Sequence, residues 1–488
     1  MPDIQRPRLY DEPFRPQYHF TPPAGFMNDP AGLVYLNGWH LYYQYDPFSM
    51  TAGSPSWGHA LSEDLLHWRH LPVAIPKGPD GQIFTGSAIV DSHNSSGLFT
   101  SNGLVAVYTL SKPDKEVQNI AYSNNGGVTF AQYPGNPVLE VNHRNCRDPK
   151  VIWHSASRRW LMAIALPQGR QVLFYASVDL KKWDYLSSFG PVGIEACEWE
   201  CPNLLEVPLE GSDQKKWVLL LGINPGAPLG GSINVYYVGD FDGTTFQAEH
   251  ADTRLMDFGK DHYALQTFNM APENEAIAIG WASNWQYTQN VPTFPWRGSF
   301  SIPRILRLRT DGIHGKKLLV QLPVSLESLR DKTLYEGTAV IGNNPLFVPL
   351  DGNGSFEFKA TLHLRSPREG TRARAVIDIL NQAGEKLAIG YDWSNEQLLV
   401  SRDATFGFSH PAFSGRFETV CPGAGEILKL HVLVDRSMVE VFVNDGLQVC
   451  TCVFFMQHGL PTGMAWYAED GVVEVAGLNA YTLKSVWG

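Results

Sequence analysis

Short runs of alternating apolar and polar residues, broken by Gly, Pro, Asn and Asp, recur along the chain and predict strands rather than helices. The runs 32–35 (GLVY) and 40–45 (HLYYQY) flank Asn37-Gly38, a hairpin signal. One unit repeats: a strand, a polar turn, then an aromatic. It is clearest at 60–68 (ALSEDLLHW) and 175–183 (YASVDLKKW), with looser copies at 121–130 (AYSNNGGVTF) and 240–246 (DFDGTTF). The aromatic ends Trp68, Phe130, Trp183 and Phe246 recur every ~60 residues, the length of a four-stranded blade with generous loops. Acidic or polar turns keep similar pace at Asp29, Ser87, Asp148, Glu200 and Asp261. Five starts predict five blades. If each opens a blade's innermost strand, all five converge on one end of a central channel.

The propeller pattern fades near 304–308 (RILRL), and 323–333 (PVSLESLRDKT) reads as a short helical linker. Beyond it, alternation returns without acidic turns at 355–362, 430–435 and 438–443, the last running into Asn444-Asp445-Gly446. Such regular short strands predict a β-sandwich. The expected fold is all-β: a five-bladed β-propeller over 1–322 with an N-terminal arm (1–23) lying over it, a linker (323–335), and a C-terminal β-sandwich (336–488).

Composition agrees with a large all-β chain. Its 488 residues are 44% hydrophobic and 12% aromatic, with 45 Gly and 33 Pro. A net charge of −11 without a basic cluster excludes nucleic acid as an expected partner, while neutral carbohydrate suits an acidic surface. No apolar run is long enough to cross a membrane. The first seven residues (MPDIQRP) show no signal peptide, so a cytoplasmic location is expected, although a chain with its leader removed would look the same. The six cysteines match neither a zinc pattern nor a disulfide framework, and no metal or other cofactor is expected. Monomer and homodimer both remain open.

Several motifs carry chemistry. Phe26-Met27-Asn28-Asp29-Pro30-Ala31-Gly32 reads as a bend where a loop enters a strand, with Asp29 firmly held yet accessible. Taken alone, such an aspartate would only hydrogen-bond its own turn. Arg147-Asp148-Pro149 and Trp199-Glu200-Cys201-Pro202-Asn203 are two further acid-plus-proline turns, each leading into an apolar strand. Glu195, Glu198 and Trp199 lie beside Glu200, and like charges with an apolar neighbour favour a protonated carboxyl, as an acid catalyst requires.

With Trp57-Gly58-His59 and Phe84-Thr85-Gly86-Ser87, these motifs occur in the order seen in glycoside hydrolase family 32, the β-fructofuranosidases, and the chain resembles that family over essentially its whole length. The resemblance implies a retaining β-fructofuranosidase acting on sucrose and terminal β-fructosyl units, with fructosyl transfer as a second outcome. Asp29 would be the nucleophile, Glu200 the acid/base, and Asp148 a stabiliser of the ring hydroxyls kept ionised by Arg147. It also implies substrate contacts from Asn28, Gln44, Trp57, Phe84, Ser87, Arg147, Asp261 and Trp296, although Trp57 and Phe84 taken alone would more often be core. Three positions depart from the family pattern: Ala31 stands where Asn is usual, Thr85 where Ser is, and Asn203 where plant enzymes often carry Asp. The rival readings are an exo-inulinase, levanase or fructosyltransferase of the same family, an inverting five-bladed arabinanase or xylosidase, and a non-catalytic sugar-binding propeller.

Overall fold

The computed structural model describes residues 9–312, 314–367, 373–413, 415–421 and 427–487. Five antiparallel sheets follow one another along the first two thirds of the chain. Their innermost strands are Gly25–Tyr35, Gln82–Val90, Arg147–His154, Trp199–Pro208 and Tyr263–Thr267. Each of these packs on the next, and the fifth packs on the first, so the sheets close into a ring around an axis. The short strand Trp296–Arg297 leaves the fifth blade and pairs in parallel with Gly25–Phe26, fastening the ring.

The repeated aromatic has a definite place in this plan. Trp68 and Phe246 open the outermost strands Trp68–Ile75 and Phe246–Ala248, while Phe130 and Trp183 immediately precede Ala131–Gln132 and Asp184–Phe189. The repeat therefore marks the turn between the third and fourth strands of a blade. The acid-plus-proline motifs are a different matter. They lie inside strands rather than at loop-to-strand bends, and each sits on a β-bulge.

All five innermost strands carry that bulge at the same height. Residues 28–29 oppose Gln44 alone, 84–85 oppose Thr109, 148–149 oppose Ile164, 201–202 oppose Leu221, and 264–265 oppose Gly280. A bulge leaves one residue outside the ladder, so proline, which has no N–H to give, fits at Pro149 and Pro202. Asp148, Cys201 and Ala264 take positive φ there (65°, 50° and 49°).

Two six-stranded sheets form the C-terminal β-sandwich around one apolar core. The segment expected as a helical linker contains only a 3-10 turn at Glu327–Leu329, and the first sandwich strand, Arg330–Ile341, has already begun before residue 335. Thr333, Tyr335 and Thr338 in this stretch favour an extended backbone. The N-terminal arm also departs from expectation. Its described part does not lie on the propeller alone but is pinned to the sandwich: the backbone N–H groups of Gln17 and Tyr18 donate to Asp435 (2.7 and 3.1 Å), and Trp487 Nε1 donates to the Pro16 carbonyl (2.9 Å).

Buried charges join the two units. Arg304, fully buried, reaches Asp257 (3.3 Å) from the propeller and Glu440 (2.5 Å) from the sandwich, and Arg402 of the sandwich pairs with Asp261 (2.7 Å). His19 of the arm lies between Asp435 and Glu440, each 3.0 Å away. Burial opposes a charge on this imidazole, but the two carboxylates outweigh it and lift its pKa above the ordinary 6.5. A raised histidine stabilises the fold fully below its unfolded pKa, and that contribution is lost as pH rises through the folded value. The melting temperature is therefore expected to fall as pH rises above 6.5. His19→Gln should melt lower than the parent below pH 6.5 and lose this slope; a parallel slope in the variant would assign it to other groups.

Candidate active site

At the axial end of the channel bearing the bulges lies a cavity of about 380 Å³. The bulge register explains which side chains reach it. The position just before the bulge holds Arg147, Glu200 and Tyr263 on blades three, four and five, and all three line the cavity. They also touch one another. Arg147 donates to Glu200 Oε1 from Nη2 (2.7 Å) and Nε (3.0 Å), and the Tyr263 hydroxyl donates to Glu200 Oε2. The bulge residues themselves supply Asn28, Asp29, Phe84 and Asp148.

Asp29 is surrounded by donors. Its Oδ2 accepts from Thr85 Oγ1 (2.6 Å) and Gln44 Nε2 (3.1 Å) and faces Cys201 Sγ (3.5 Å), while Oδ1 accepts from Asn28 Nδ2 (3.0 Å). Gln44 also donates to Thr85 (2.6 Å), which locks the pair. Burial nevertheless pushes the Asp29 carboxyl up from 3.8 to about 6; the Glu200 charge adds to this, and the Thr85 hydrogen bond is the strongest effect opposing it.

Asp148 accepts from the Cys201 backbone N–H (2.9 Å), and its own N–H donates to Thr109 Oγ1 (3.0 Å), the residue opposite the neighbouring bulge. Burial, and then the charge of Glu200, push its carboxyl well above the usual range. The expected Arg147–Asp148 pair is therefore a correction. The guanidinium turns instead to Glu200 and to Glu116 (3.0 Å), with Glu198 at 3.7 Å, and its charge does not keep Asp148 in the ordinary carboxylate range. A side chain cannot fold back onto its own neighbour as easily as it reaches the equivalent position of the next blade.

Of the expected substrate contacts, Asn28, Gln44, Phe84 and Arg147 line the cavity. Four others do not. Trp57 is fully buried and donates from Nε1 to the Phe84 carbonyl (2.9 Å), so it holds Phe84 from behind. Its ring also closes over Gly32, where a Cβ would come within 2.7 Å at a φ of +56°, so this position requires glycine. Ser87 lies beyond the bulge and bridges blades two and three, donating to the Pro149 carbonyl (3.0 Å) and accepting from the Val151 N–H (2.9 Å). Asp261 precedes the fifth strand and is the buried partner of Arg402. Trp296 lies under the Arg15 guanidinium, 4.5 Å from its ring centroid. The tryptophan that does line the cavity is Trp285, beside Tyr263 and Asn224.

The family models match in the same two pieces as the architecture: the glycosyl hydrolases family 32 N-terminal domain over residues 19–323 and the family 32 C-terminal domain over 325–482. The chain belongs to glycoside hydrolase family 32. It is 41% identical to a levanase of Bacillus subtilis, over 98% of this chain and 72% of that protein. Among solved structures, this family 32 chain is similar to an exo-inulinase from Aspergillus awamori (TM-score 0.91, 33% identity, 98% and 100% coverage). It is equally similar in fold to a fructofuranosidase from Schwanniomyces occidentalis complexed with fructosylnystose (TM-score 0.91, 36% identity, 99% and 100% coverage).

The buried Asp29 makes a stability prediction. A carboxyl whose pKa is raised on folding leaves stability intact below its unfolded value and lowers it as pH rises through the folded one, here about 6. Asp29→Asn should therefore unfold less readily than the parent at pH 8, by at most ~3 kcal/mol for a shift of about two units. The difference should vanish below pH 3.8. Denaturant titrations at the two pH values check this; a variant less stable than the parent at pH 8 would mean that the four donors outweigh burial.

Proposed function

We propose that this family 32 chain is a retaining β-fructofuranosidase that hydrolyses sucrose and terminal non-reducing β-fructofuranosyl units. The observation that carries the reading is the meeting of Asp29, Asp148 and Glu200, from three different blades, in one cavity. Cleavage through an oxocarbenium-like state takes two carboxyl groups on opposite sides of the anomeric carbon. Asp29 attacks C2 of the fructosyl unit while Glu200 protonates the departing glycosidic oxygen, releasing the leaving sugar and forming a fructosyl ester on Asp29. Glu200 then takes a proton from water, which attacks C2 and frees fructose with its configuration retained.

Hydrogen-bond load indicates which oxygen attacks. Oδ2 of Asp29 faces three donors, whereas Oδ1 accepts only from Asn28, so Oδ1 has the lone pair to spare. The Tyr263 hydroxyl and Arg147 fix the Glu200 carboxyl against rotation. Asp148 grips ring hydroxyls, and the interaction strengthens as charge develops on the ring. Phe84 and Trp285 offer apolar faces to the C–H surface of the sugar.

Three measurements test the reading. On sucrose, the first-formed fructose should be the β-furanose anomer by NMR, and Asp29→Ala should abolish turnover. The α anomer would mean inversion, excess glucose over fructose would mean transfer to a sugar, and no turnover of sucrose, inulin or levan would overturn the assignment. The rate should fall on the acid side with a limb near the Asp29 value of about 6. Thr85→Val removes the strongest hydrogen bond favouring ionised Asp29. It should move the acid limb to higher pH and lower kcat/KM on the order of ten-fold, whereas Thr85→Ser should retain both. An unmoved limb in Thr85→Val would dissociate that limb from Asp29.

A further inference from the structure

We propose that Phe48 and Phe294 form an aromatic platform on the rim of the cavity that holds a fructosyl unit of a fructan chain beyond the leaving residue. This rests on the reading of the cavity as the site where a terminal fructosyl unit is cleaved. The two phenylalanines are 98% and 74% exposed, unusually bare for rings with no solvent-facing polar atom. They sit on separate loops that meet at the start of the strand bearing Asp29. Gly25 donates to the Pro295 carbonyl (2.9 Å), and on its other side a Cβ would lie within 2.8 Å of Pro47 Cα.

Both loops continue into the cavity wall or its support. The loop that begins with Phe48 goes on to Ala52, Gly53 and Pro55, which line the cavity. Phe294 leads into the strand Trp296–Arg297, paired with Gly25–Phe26, and the Phe26 ring stacks 6.2 Å from Trp285 of the wall. On this proposal a fructan with its end unit in the cavity leaves past these two loops.

The backbone beneath the two rings is also held. Arg297 ties the two loops together, donating from Nη1 to the carbonyls of Met50 (2.9 Å) and Gln289 and from Nη2 to that of Val291 (3.0 Å), and the Phe48 N–H donates to Asp46 Oδ1 (3.0 Å). Loops held in this way lose little freedom when a neutral sugar covers the rings with its C–H face, and that burial recovers apolar area. The rings carry no charge and no hydrogen-bonding group, which suits an uncharged chain whose linkage places each unit differently.

The test compares kcat/KM on inulin-type fructans of five or more units with kcat/KM on sucrose, for the parent, Phe48→Ala and Phe294→Ala. Each substitution should lower the long-to-short ratio about five-fold, the double variant should lower it further, and Phe48→Trp should restore it. Ratios equal to that of the parent would overturn the platform. Affinity electrophoresis through inulin-containing gels, using the Glu200→Gln protein with and without both alanines, tests it without turnover. Retardation that is lost on removing the rings supports the platform even if the parent turns over neither sucrose nor fructan, an outcome that would instead sink the cleavage reading. Retardation unchanged by their removal overturns it.

Discussion

The bulge repeated at one height on five inner strands is the constraint on which the site depends. In a regular strand successive side chains point to opposite faces, so two neighbours cannot both face the channel. Here Asn28 and Asp29 both line the cavity, as do Arg147 and Asp148. The two-against-one pairing makes that possible, and it turns the residues before and within the bulge toward the axis. Ring closure then brings equivalent positions of successive blades into contact. Arg147 meets Glu200, Glu200 meets Tyr263, and Asp29 meets Thr85, although the members of each pair are tens of residues apart in sequence.

The same geometry shows what was legible in the sequence. The aromatic repeat gave the length of a blade because each of its four aromatics has one structural place, at the turn before the outermost strand, while the count of five came from the polar turns. The three acids were legible because each lies in a motif that combines a proline with an innermost strand. Register was not. Aligning Ser87 and Asp261 with Asp29 follows the polar residues nearest each strand start, but the bulges align 28, 84, 148, 201 and 264 instead. Ser87 thus falls three residues beyond the position held by Asn28, and Asp261 three residues before it. Thr85 stood in view within Phe84-Thr85-Gly86-Ser87, and only height relative to the bulge marks it and Tyr263. Trp57 and Trp296 were misplaced for a different reason: a tryptophan serves core and pocket alike, and sequence carries no sign of which face its ring meets.

Asp261 also shows how the two units are held. Its buried pair with Arg402, and the parallel arrangement of Asp257, Arg304 and Glu440, place full charges where water is absent. Such pairs add little net stability compared with apolar packing, yet losing one partner leaves an uncompensated charge at a cost of about 3–5 kcal/mol. They therefore favour one alignment of sandwich on propeller over any slipped one. The fifth blade is the one so fixed, and it carries Tyr263 and Trp285 to the cavity. Its Tyr287 hydroxyl joins the same cluster by donating to Asp261.

Three carboxyl groups in one cavity cannot serve alike, and their surroundings separate them. Asp29 has donors from blades one, two and four, which is what a carboxylate needs if it is to be ionised and aimed despite its burial. Asp148 has the backbone N–H of Cys201 and a share of its thiol, and burial, then the charge of Glu200, raises it well above the ordinary carboxyl range. Glu200 alone is gripped at both oxygens by side chains of other blades, and its guanidinium partner is divided with Glu116. That one positive charge is shared among Glu200, Glu116 and, at 3.7 Å, Glu198. The acid/base role proposed for Glu200 requires its charge to change twice in each cycle, and a partner engaged on both sides suits that role better than a dedicated one would. Glu116 belongs to no recognisable motif; its part follows from the third strand of blade two lying beside the first strand of blade three.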